Sequence, residues 1–374
     1  MKEWMKQAGL SVFQDTAANL IGRRTGRNRR LTPIWIGSHT DTVKNGGRFD
    51  GTIGVIAGIE IARVLKDNHL ILEHTLEIID YTAEEPTEFE ISTVGSKALA
   101  GNLSDDMLAL KDGGGRILGE TIREYGGDSD TLLQAARNKG SVKICLELHI
   151  EQGPVLETAG NILGAVSGIV GIRHFLVKVK GRADHAGTTP MTQRLDALAG
   201  AAEMILALEK ISSRRPDPAS CVGTVGRITV SPNAANIIPS SAELNFEIRT
   251  LDGQLLETLS SSFTLACRDI AARRDLTLEL ATLSPTDPVF VDPGIVNLIK
   301  KACTLATDHC QEIASGAGHD INQLACFAPV GMIFVPSRKG RSHCPEEYTD
   351  PRSIAIGTEA LLNTVLEINK RTPA

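Results

Sequence analysis

The chain has 374 residues, of which 42% are hydrophobic, and it contains no apolar run near the roughly 20 residues that a membrane helix needs. Its formal net charge of -6 argues against a nucleic-acid surface. Its seven scattered cysteines form no CxxC pair, and no signal-peptide pattern opens the chain, so we expect a soluble protein of the cytoplasm.

The first elements of the chain end in polar residues. Residues 1–8 have a helical pattern with no capping residue ahead of them, so we expect that preceding residues are missing. Residues 31–36 form a short apolar run, typical of a buried strand, and a segment containing His39, Asp41 and Asp50 follows it. Residues 52–66 then show the apolar spacing of a helix.

Three further apolar runs each end in a possible metal ligand. Residues 75–81, 142–148 and 332–335 are predicted strands, and they precede Glu84 with Glu85, His149 and His343. Strands that alternate with helices indicate a parallel sheet covered by helices, with chemistry at the carboxyl ends of its strands. Any one such residue alone is more often an ordinary loop residue, but four in one chain favour a metal site.

The pattern of the chain changes near Gly164. Predicted strands at 173–180 and 242–250 alternate with predicted helices at 195–211 and 254–273, and residues 214–218 form a loop between them. We therefore predict an α/β fold in which a domain with a central, mostly parallel sheet flanked by helices (residues 1–165 and 284–374) carries an inserted α+β, ferredoxin-like domain (residues 166–283).

The polar residues match the needs of a hydrolase that cleaves an amide with two divalent ions. Asp50 would bridge the ions, His39 and His149 would complete one, and Glu85 and His343 the other. Asp41 could accept a hydrogen bond from the free ring nitrogen of His39, or be a simple turn acid. Glu84 suits a general base, although adjacent acids are usually surface charge.

Several motifs in order resemble one known family. The segments GSHTDTVKNGGRFDG, YTAEEPTEF, ELHIEQGPVLE, GRADHAGTTPM, SPNAANIIPSSAELNFEIRT, SGAGHD and IFVPSRKGRSHCPEE resemble the M20 metallopeptidase superfamily, specifically its hydantoinase/carbamoylase (amidase) branch. The similarity spans about residues 8–345. It implies two metal ions per subunit with the ligand set given above, Glu84 as base, and a lid domain that also makes a homodimer.

The resemblance also implies substrate contacts. These are Gln152, His185, Asn236 and Arg249, with His185 reaching the active site of the partner subunit. The Arg249 guanidinium could grip a carboxylate in a bidentate pair, or be a surface arginine. The His185 imidazole could donate to an oxyanion, or serve a turn. Backbone N–H groups of Gly316, Ala317 and Gly318 could bind a carboxylate or carbonyl, and His319 and Asp320 would lie behind the ligands.

Three functions stay open. The first is hydrolysis of the carbamoyl C–N bond of N-carbamoyl-L-amino acids or related ureido acids, with an allantoate amidohydrolase of purine catabolism as the alternative. The second is an M20 aminoacylase or dipeptidase, and the third is a binding protein that has lost the chemistry. Zn²⁺ is favoured, and Mn²⁺, Co²⁺ or Ni²⁺ would also accept these ligands.

Branch members often place an Arg-Phe pair after Glu-Glu, where this chain has Glu88-Phe89, so the substrate pocket there is expected to differ.

Overall fold

The protein is described by a computed structural model that covers residues 1–213 and 221–370, so the predicted loop at 214–218 lies outside the described residues. The chain forms two compact units. The first unit comprises Met1–Gly168 and Phe290–Ala374, and the second comprises Ile169–Val289. The predicted domain boundaries fall at residues 165 and 284, a few residues before those of the compact units.

The described residues form thirteen strands and eleven α-helices. The strands are β1 (Ser11–Gln14), β2 (Leu20–Arg24), β3 (Ile34–His39), β4 (Leu76–Tyr81), β5 (Ile144–Ile150), β6 (Leu163–Ile169), β7 (Gly171–Lys180), β8 (Cys221–Ser231), β9 (Ser241–Thr250), β10 (Thr277–Thr286), β11 (Val289–Phe290), β12 (Cys310–Ser315) and β13 (Val330–Val335). The helices are α1 (Lys2–Gln7), α2 (Thr52–Asp67), α3 (Val94–Leu99), α4 (Asp105–Leu108), α5 (Leu118–Glu124), α6 (Val155–Ala159), α7 (Ala197–Ser213), α8 (Gly253–Arg273), α9 (Pro293–Thr304), α10 (Asp320–Leu324) and α11 (Pro351–Lys370).

The large sheet of the first unit has the strand order β1-β2-β4-β3-β5-β13-β6-β11, with β12 paired to β6. Its four central strands, β4, β3, β5 and β13, are parallel. Every residue of β3, β5 and β13 is buried, as expected for strands whose two faces are both covered by helices. Because parallel strands end at the same edge, the segments that follow these strands lie together there.

Helix α2 packs closely on the strands that carry the predicted ligands. Gly54 makes this possible, because a Cβ atom on it would lie 2.4 Å from the Leu148 carbonyl oxygen. Gly51, just before the helix, has φ +63°, and a Cβ atom there would lie 2.3 Å from His39 Nε2. Glycine is therefore required at both positions for the chain to bring Asp50 to the carboxyl edge of the sheet.

The second unit is a four-stranded antiparallel sheet in the order β10-β7-β9-β8, with α7 and α8 packed on it. The chain order βαββαβ makes it ferredoxin-like, as predicted. Alternate residues of β9 are buried, and Phe246 on this strand packs against Phe263 of α8. The predicted insert lacked β8 and β10, which the structure adds to its sheet.

The predicted elements agree in type with the observed ones and differ in their bounds. The strand predicted at 31–36 is β3, which ends at His39, and the strand predicted at 142–148 is β5, which ends at Ile150. His39 and His149 therefore lie within strands rather than after them. Among residues 1–213 and 221–370, no helix combines the length and the apolar character needed to cross a membrane.

Candidate metal centre

Three buried side chains meet at the carboxyl edge of the large sheet. His39 and His149 come from the neighbouring strands β3 and β5, and Asp50 precedes α2. Asp50 Oδ1 lies 3.0 Å from His149 Nε2 and 3.7 Å from His39 Nε2. All three residues are at most 3% exposed. Two imidazoles and a carboxylate in this arrangement are a ligand set for a transition-metal ion.

A second group uses the other oxygen of the same carboxylate. His343 Nε2 lies 3.3 Å from Asp50 Oδ2 and 3.4 Å from Glu85 Oε1. Glu85 Oε1 is buried, and among the described residues it has no hydrogen-bond partner. A buried carboxylate oxygen with an unused lone pair fits a metal ligand, because a buried polar atom without a partner is otherwise costly. These residues form a second group of ligands suited to a divalent metal ion.

The charges of this cluster are strongly coupled. Burial raises the pKa of the Asp50 carboxyl, but the imidazoles of His149, His343 and His39 outweigh burial and hold that pKa below its ordinary value. Burial lowers the pKa of His39, yet the carboxylates of Asp41 and Glu84 outweigh it and leave the pKa of His39 well above its ordinary value. The neighbouring imidazoles therefore favour the ionised form of Asp50.

Backbone carbonyls orient the two buried imidazoles. His149 Nδ1 lies 2.8 Å from the carbonyl oxygen of Ile150, and His39 Nδ1 lies 3.1 Å from that of Asp41. A ring that donates from Nδ1 presents Nε2 to a metal ion. The Asp41 carboxylate lies farther from the His39 ring, at 3.5 Å, and accepts the backbone N–H groups of Glu84 and Glu85 instead. The hydrogen bond from His39 that we predicted for the Asp41 carboxylate is thus made mainly to the backbone carbonyl of Asp41.

Glu84 lies beside the first group of ligands. Its Oε2 is 3.7 Å from His39 Nε2, and its side chain is 12% exposed. Burial raises the pKa of Glu84 well above its ordinary value, and the nearby carboxylates of Asp320 and Glu85 raise it further. A carboxylate with a raised pKa is a stronger base at neutral pH.

Two other predicted groups lie in the same unit. Gln152 has φ +60°, and its Nε2 donates to Asp50 Oδ2 over 2.6 Å. In the loop after β12, the Ala317 N–H donates to Ser315 Oγ, so this N–H has a partner within its own loop. The ring of His319, which ends that loop, lies 4.6 Å from the ring of His149.

The remaining predicted substrate residues belong to the second unit. His185 and Asn236 lie on neighbouring segments, since Ala186 N donates to the Asn236 carbonyl oxygen over 3.0 Å. His185 Nδ1 accepts the N–H groups of Gly187 and Thr188. Arg249 Nε and Nη2 each lie 3.1 Å from an oxygen of the Glu247 carboxylate on the same strand. The bidentate partner of Arg249 in the structure is thus a residue of its own unit.

The structure adds residues that the sequence analysis did not single out. Glu147 is buried two residues before His149, accepts from Ser38 Oγ over 2.7 Å, and groups with His149 and His319. Alternation along β5 could have shown that Glu147 and His149 share a face. No local pattern marked the role of Ser342, which lies 2.9 Å from Asp50 Oδ2.

Glu88, the acid at which this chain differs from the family pattern, lies on the surface. Its Oε2 pairs with Arg116 Nη2 over 2.9 Å, and its side chain is 77% exposed. Arg116 also pairs with the Asp112 carboxylate, so the acid belongs to a small surface network. The expected effect of Glu88 on a substrate pocket has no support in these contacts.

Comparisons with known proteins agree with this geometry. The family model described as peptidase family M20/M25/M40 matches residues 35–367. The chain is 38% identical over 365 residues to an N-carbamoyl-L-amino acid amidohydrolase of Geobacillus stearothermophilus, covering 98% of this chain and 88% of the relative. It is 33% identical over 369 residues to an allantoate amidohydrolase of Bacillus subtilis, covering 98% and 89%.

A crystal structure of an amidase of the hydantoinase/carbamoylase family from Burkholderia vietnamiensis has the same fold. It superimposes with a TM-score of 0.89 at 33% identity, and the match covers 98% of this chain and 88% of that one. The similarity in sequence and in fold extends over nearly the whole chain, and it includes the residues of the candidate metal centre. The chain therefore belongs to peptidase family M20/M25/M40 and, within it, to the hydantoinase/carbamoylase branch.

Proposed function

We propose that the protein is a metal-dependent amidohydrolase that cleaves the carbamoyl C–N bond of N-carbamoyl-L-amino acids or related ureido acids. One observation carries the proposal. Asp50 turns one oxygen to His39 and His149 and the other towards His343 and Glu85, so a single carboxylate can serve two cations. We propose two divalent ions per chain, with Zn²⁺ favoured because imidazole and carboxylate ligands suit it.

The side chains around the cluster would each perform a different step of the proposed hydrolysis. Bound divalent cations would supply Lewis acidity, which makes water in the site more acidic and polarises the scissile carbonyl. Glu84 would take the proton of the attacking water and pass it to the leaving nitrogen, a role that its raised pKa favours. Gln152, whose amide lies against Asp50, would contact the ureido group.

Residues of the second unit would bind the remainder of the substrate. His185 Nδ1 accepts two backbone N–H groups, so the ring proton of the neutral imidazole lies on Nε2, where it can donate to an oxyanion. Arg249 would pair with the substrate carboxylate. Its two hydrogen bonds to the Glu247 carboxylate fix the orientation of the guanidinium plane. Asn236, on the segment beside His185, would donate to a substrate oxygen, and N–H groups of residues 316–318 would add to these contacts.

The second unit also offers a surface for a second copy of the chain. Strand β8 lies at the edge of its sheet, and it exposes Val222 by 52% and Ile228 by 45%. An uncovered edge strand with apolar side chains is a site for pairing. We propose a homodimer through this unit. The seven cysteines are all free thiols, which fits the reducing cytoplasm.

The substrate and the metal are tested together. The apoprotein would be reconstituted with Zn²⁺, Mn²⁺, Co²⁺ or Ni²⁺, and ammonia release measured from N-carbamoyl-L-amino acids, β-ureidopropionate and allantoate. We expect N-carbamoyl-L-amino acids to react fastest. Preference for allantoate would support the alternative that the similarity to the Bacillus subtilis enzyme suggests. Turnover of only dipeptides or N-acyl amino acids, followed by product analysis, would overturn the carbamoyl assignment, and no turnover at all would indicate a binding protein.

A further inference from the structure

Glu347 is a buried carboxylate that joins two segments of the candidate metal centre. It is 3% exposed, and it follows His343 by four residues. Its Oε1 accepts the backbone N–H groups of Phe49 and Asp50 over 2.9 and 3.1 Å. Its Oε2 accepts the hydroxyl of Ser342 over 2.6 Å. One side chain thus connects the backbone of the shared ligand Asp50 to the residue just before the ligand His343.

The approach of these segments is tight. A Cβ atom on Gly47 would lie 2.0 Å from Glu347 Oε1, so only glycine allows the backbone before Asp50 to pass this close to the carboxylate. Glu347 belongs to none of the possible ligand groups found among the described residues. Its contacts therefore serve to hold the chain, rather than to bind a cation.

The hydroxyl of Ser342 lies between two carboxylates. Its Oγ is 2.6 Å from Glu347 Oε2 and 2.9 Å from Asp50 Oδ2, but it carries only one proton to donate. The shorter contact is the one to Glu347. When the proton is directed to Glu347, Asp50 Oδ2 accepts from Gln152 Nε2 and keeps a lone pair for a cation that Glu85 and His343 would share.

The ligand His343 needs such support more than the others. Its side chain is 49% exposed and its backbone has φ +55°, whereas His39 and His149 lie on buried strands. A ligand on an exposed loop must be ordered when a cation binds, and this ordering weakens the affinity. A contact that orders the loop in advance therefore strengthens cation binding.

We propose that Glu347 is a positioning residue that sets the distance between Asp50 and His343 before a cation binds. The inference rests on the proposed metal centre and deepens it. Glu347 acts through the Asp50 backbone and Ser342, and it selectively supports the cation held by Asp50, Glu85 and His343. The cation held by His39, Asp50 and His149 depends on it less, since β3 and β5 fix both of those imidazoles.

The test is the variant Glu347→Gln, measured by titrating the apoprotein with Co²⁺ and Zn²⁺. The glutamine amide keeps the shape and can still accept from the Asp50 backbone, but its NH₂ group cannot accept from Ser342. We expect the weaker of the two cation sites to lose about 10–100-fold in affinity, as is typical for residues behind metal ligands. The visible spectrum of Co²⁺ in that site should change, while the other site keeps its affinity and its spectrum.

Glu346→Gln is the matched control. Glu346 is the adjacent acid, is 60% exposed and pairs with Arg341, so its removal should leave both affinities and both spectra unchanged. Circular dichroism and thermal unfolding of each apoprotein would establish that the variants are folded. If Glu347→Gln does not fold, Ser342→Ala tests the same contact, since it removes only the hydroxyl, and the same selective loss is expected.

Two failures are distinguishable. If the wild-type protein binds no divalent cation, the proposed metal centre itself is wrong. If the wild type binds two cations and the folded Glu347→Gln or Ser342→Ala protein binds both with unchanged affinity and spectrum, the positioning role is overturned and the metal centre stands.

Discussion

At the scale of single residues, the candidate metal centre places one carboxyl group where its ionised form is favoured and another where its ionised form is disfavoured. Asp50 is surrounded by three imidazoles that keep it ionised, whereas Glu84 is held among carboxylates and away from water. Two acids in one site are thereby suited to the different tasks that we propose for them, cation binding for Asp50 and proton exchange for Glu84.

The variant Glu84→Gln tests this division. We expect the variant to keep its cations and to lose activity by about 10²–10⁴-fold, because an amide cannot accept the proton of the attacking water. Metal analysis of the purified variant, together with kcat for the best substrate, would check this. Parallel loss of metal and activity would mean that Glu84 is a ligand instead.

Asp320 provides a second residue-scale prediction. It is fully buried and accepts from Ser96 Oγ, and burial raises its pKa from 3.8 to about 8. Between these two values the folded apoprotein holds a proton that the unfolded chain has lost. The free energy of unfolding should therefore fall as pH rises from about 4 to about 8, by at most about 1.4 kcal/mol per pH unit from this group.

Asp320→Asn should remove that contribution. Urea unfolding of both apoproteins at several pH values between 5 and 8 would show the variant gaining stability relative to the wild type as pH rises. Parallel pH profiles of the two proteins would show that Asp320 is already ionised in the folded state at pH 5.

At the scale of elements, the site depends on how closely α2 packs on the sheet. This helix begins two residues after Asp50, so any displacement of its first turn moves that candidate ligand. Gly54 lies in this turn, against the Leu148 carbonyl of β5. The packing of one helix on one strand therefore determines the position of the shared carboxylate.

We expect Gly54→Ala to lower the free energy of unfolding by about 1–3 kcal/mol, because the added methyl group forces the helix away from β5. Cation affinity should fall with it. Gly119→Ala in α5 is the matched control, since a Cβ atom there meets its neighbours at 3.4 Å or more. Chemical unfolding and Zn²⁺ titration would measure the free energy of unfolding and the cation affinity of both variants. Equal losses in the two variants would contradict the packing argument.

The sequence predicted the central strands because their apolar runs are continuous, but it misplaced their ends. β3 and β5 continue into His39 and His149, since the backbone ladder of a sheet forms regardless of side-chain polarity. β8 was missed because two glycines and many exposed residues weaken its pattern, and it is ordered by pairing with β9. These pairings are tertiary and cannot be read locally.

The candidate site was predictable to a similar extent. Each predicted ligand follows or ends an apolar strand, so topology brings these residues together. The contact between Asp50 and Glu347 joins residues 297 positions apart, and nothing in the local sequence indicates it. The same holds for the pairing of Arg249 with Glu247, where two charges on one strand face could equally have faced solvent.

At the scale of the whole molecule, the predicted functional residues are divided between the two compact units. All candidate metal ligands and Glu84 belong to the first unit, and His185, Asn236 and Arg249 belong to the second. If both sets act on one substrate, as we propose, turnover requires both units.

Mixing two inactive variants tests whether His185 serves the partner subunit. His185→Ala and Glu84→Gln chains should each be inactive alone, and their heterodimers should regain part of the wild-type activity, because one of the two sites would have both groups intact. Subunit exchange would be confirmed by mass. Exchange without recovery of activity would show that His185 serves its own chain or takes no part in the chemistry.

The hydrogen bond from Val291 N to the Ser167 carbonyl oxygen shows that the chain leaves and re-enters the first unit at neighbouring points. For the first unit, the whole second unit is therefore a loop with its ends already joined. The entropy of closing such a loop grows slowly, by about 0.6 kcal/mol for each doubling of its length. Through this entropy alone, insertions and deletions in the second unit should change the folding free energy of the first unit only slightly. The part of the chain that we propose to contact substrate can accordingly vary in length while the candidate metal ligands stay in place.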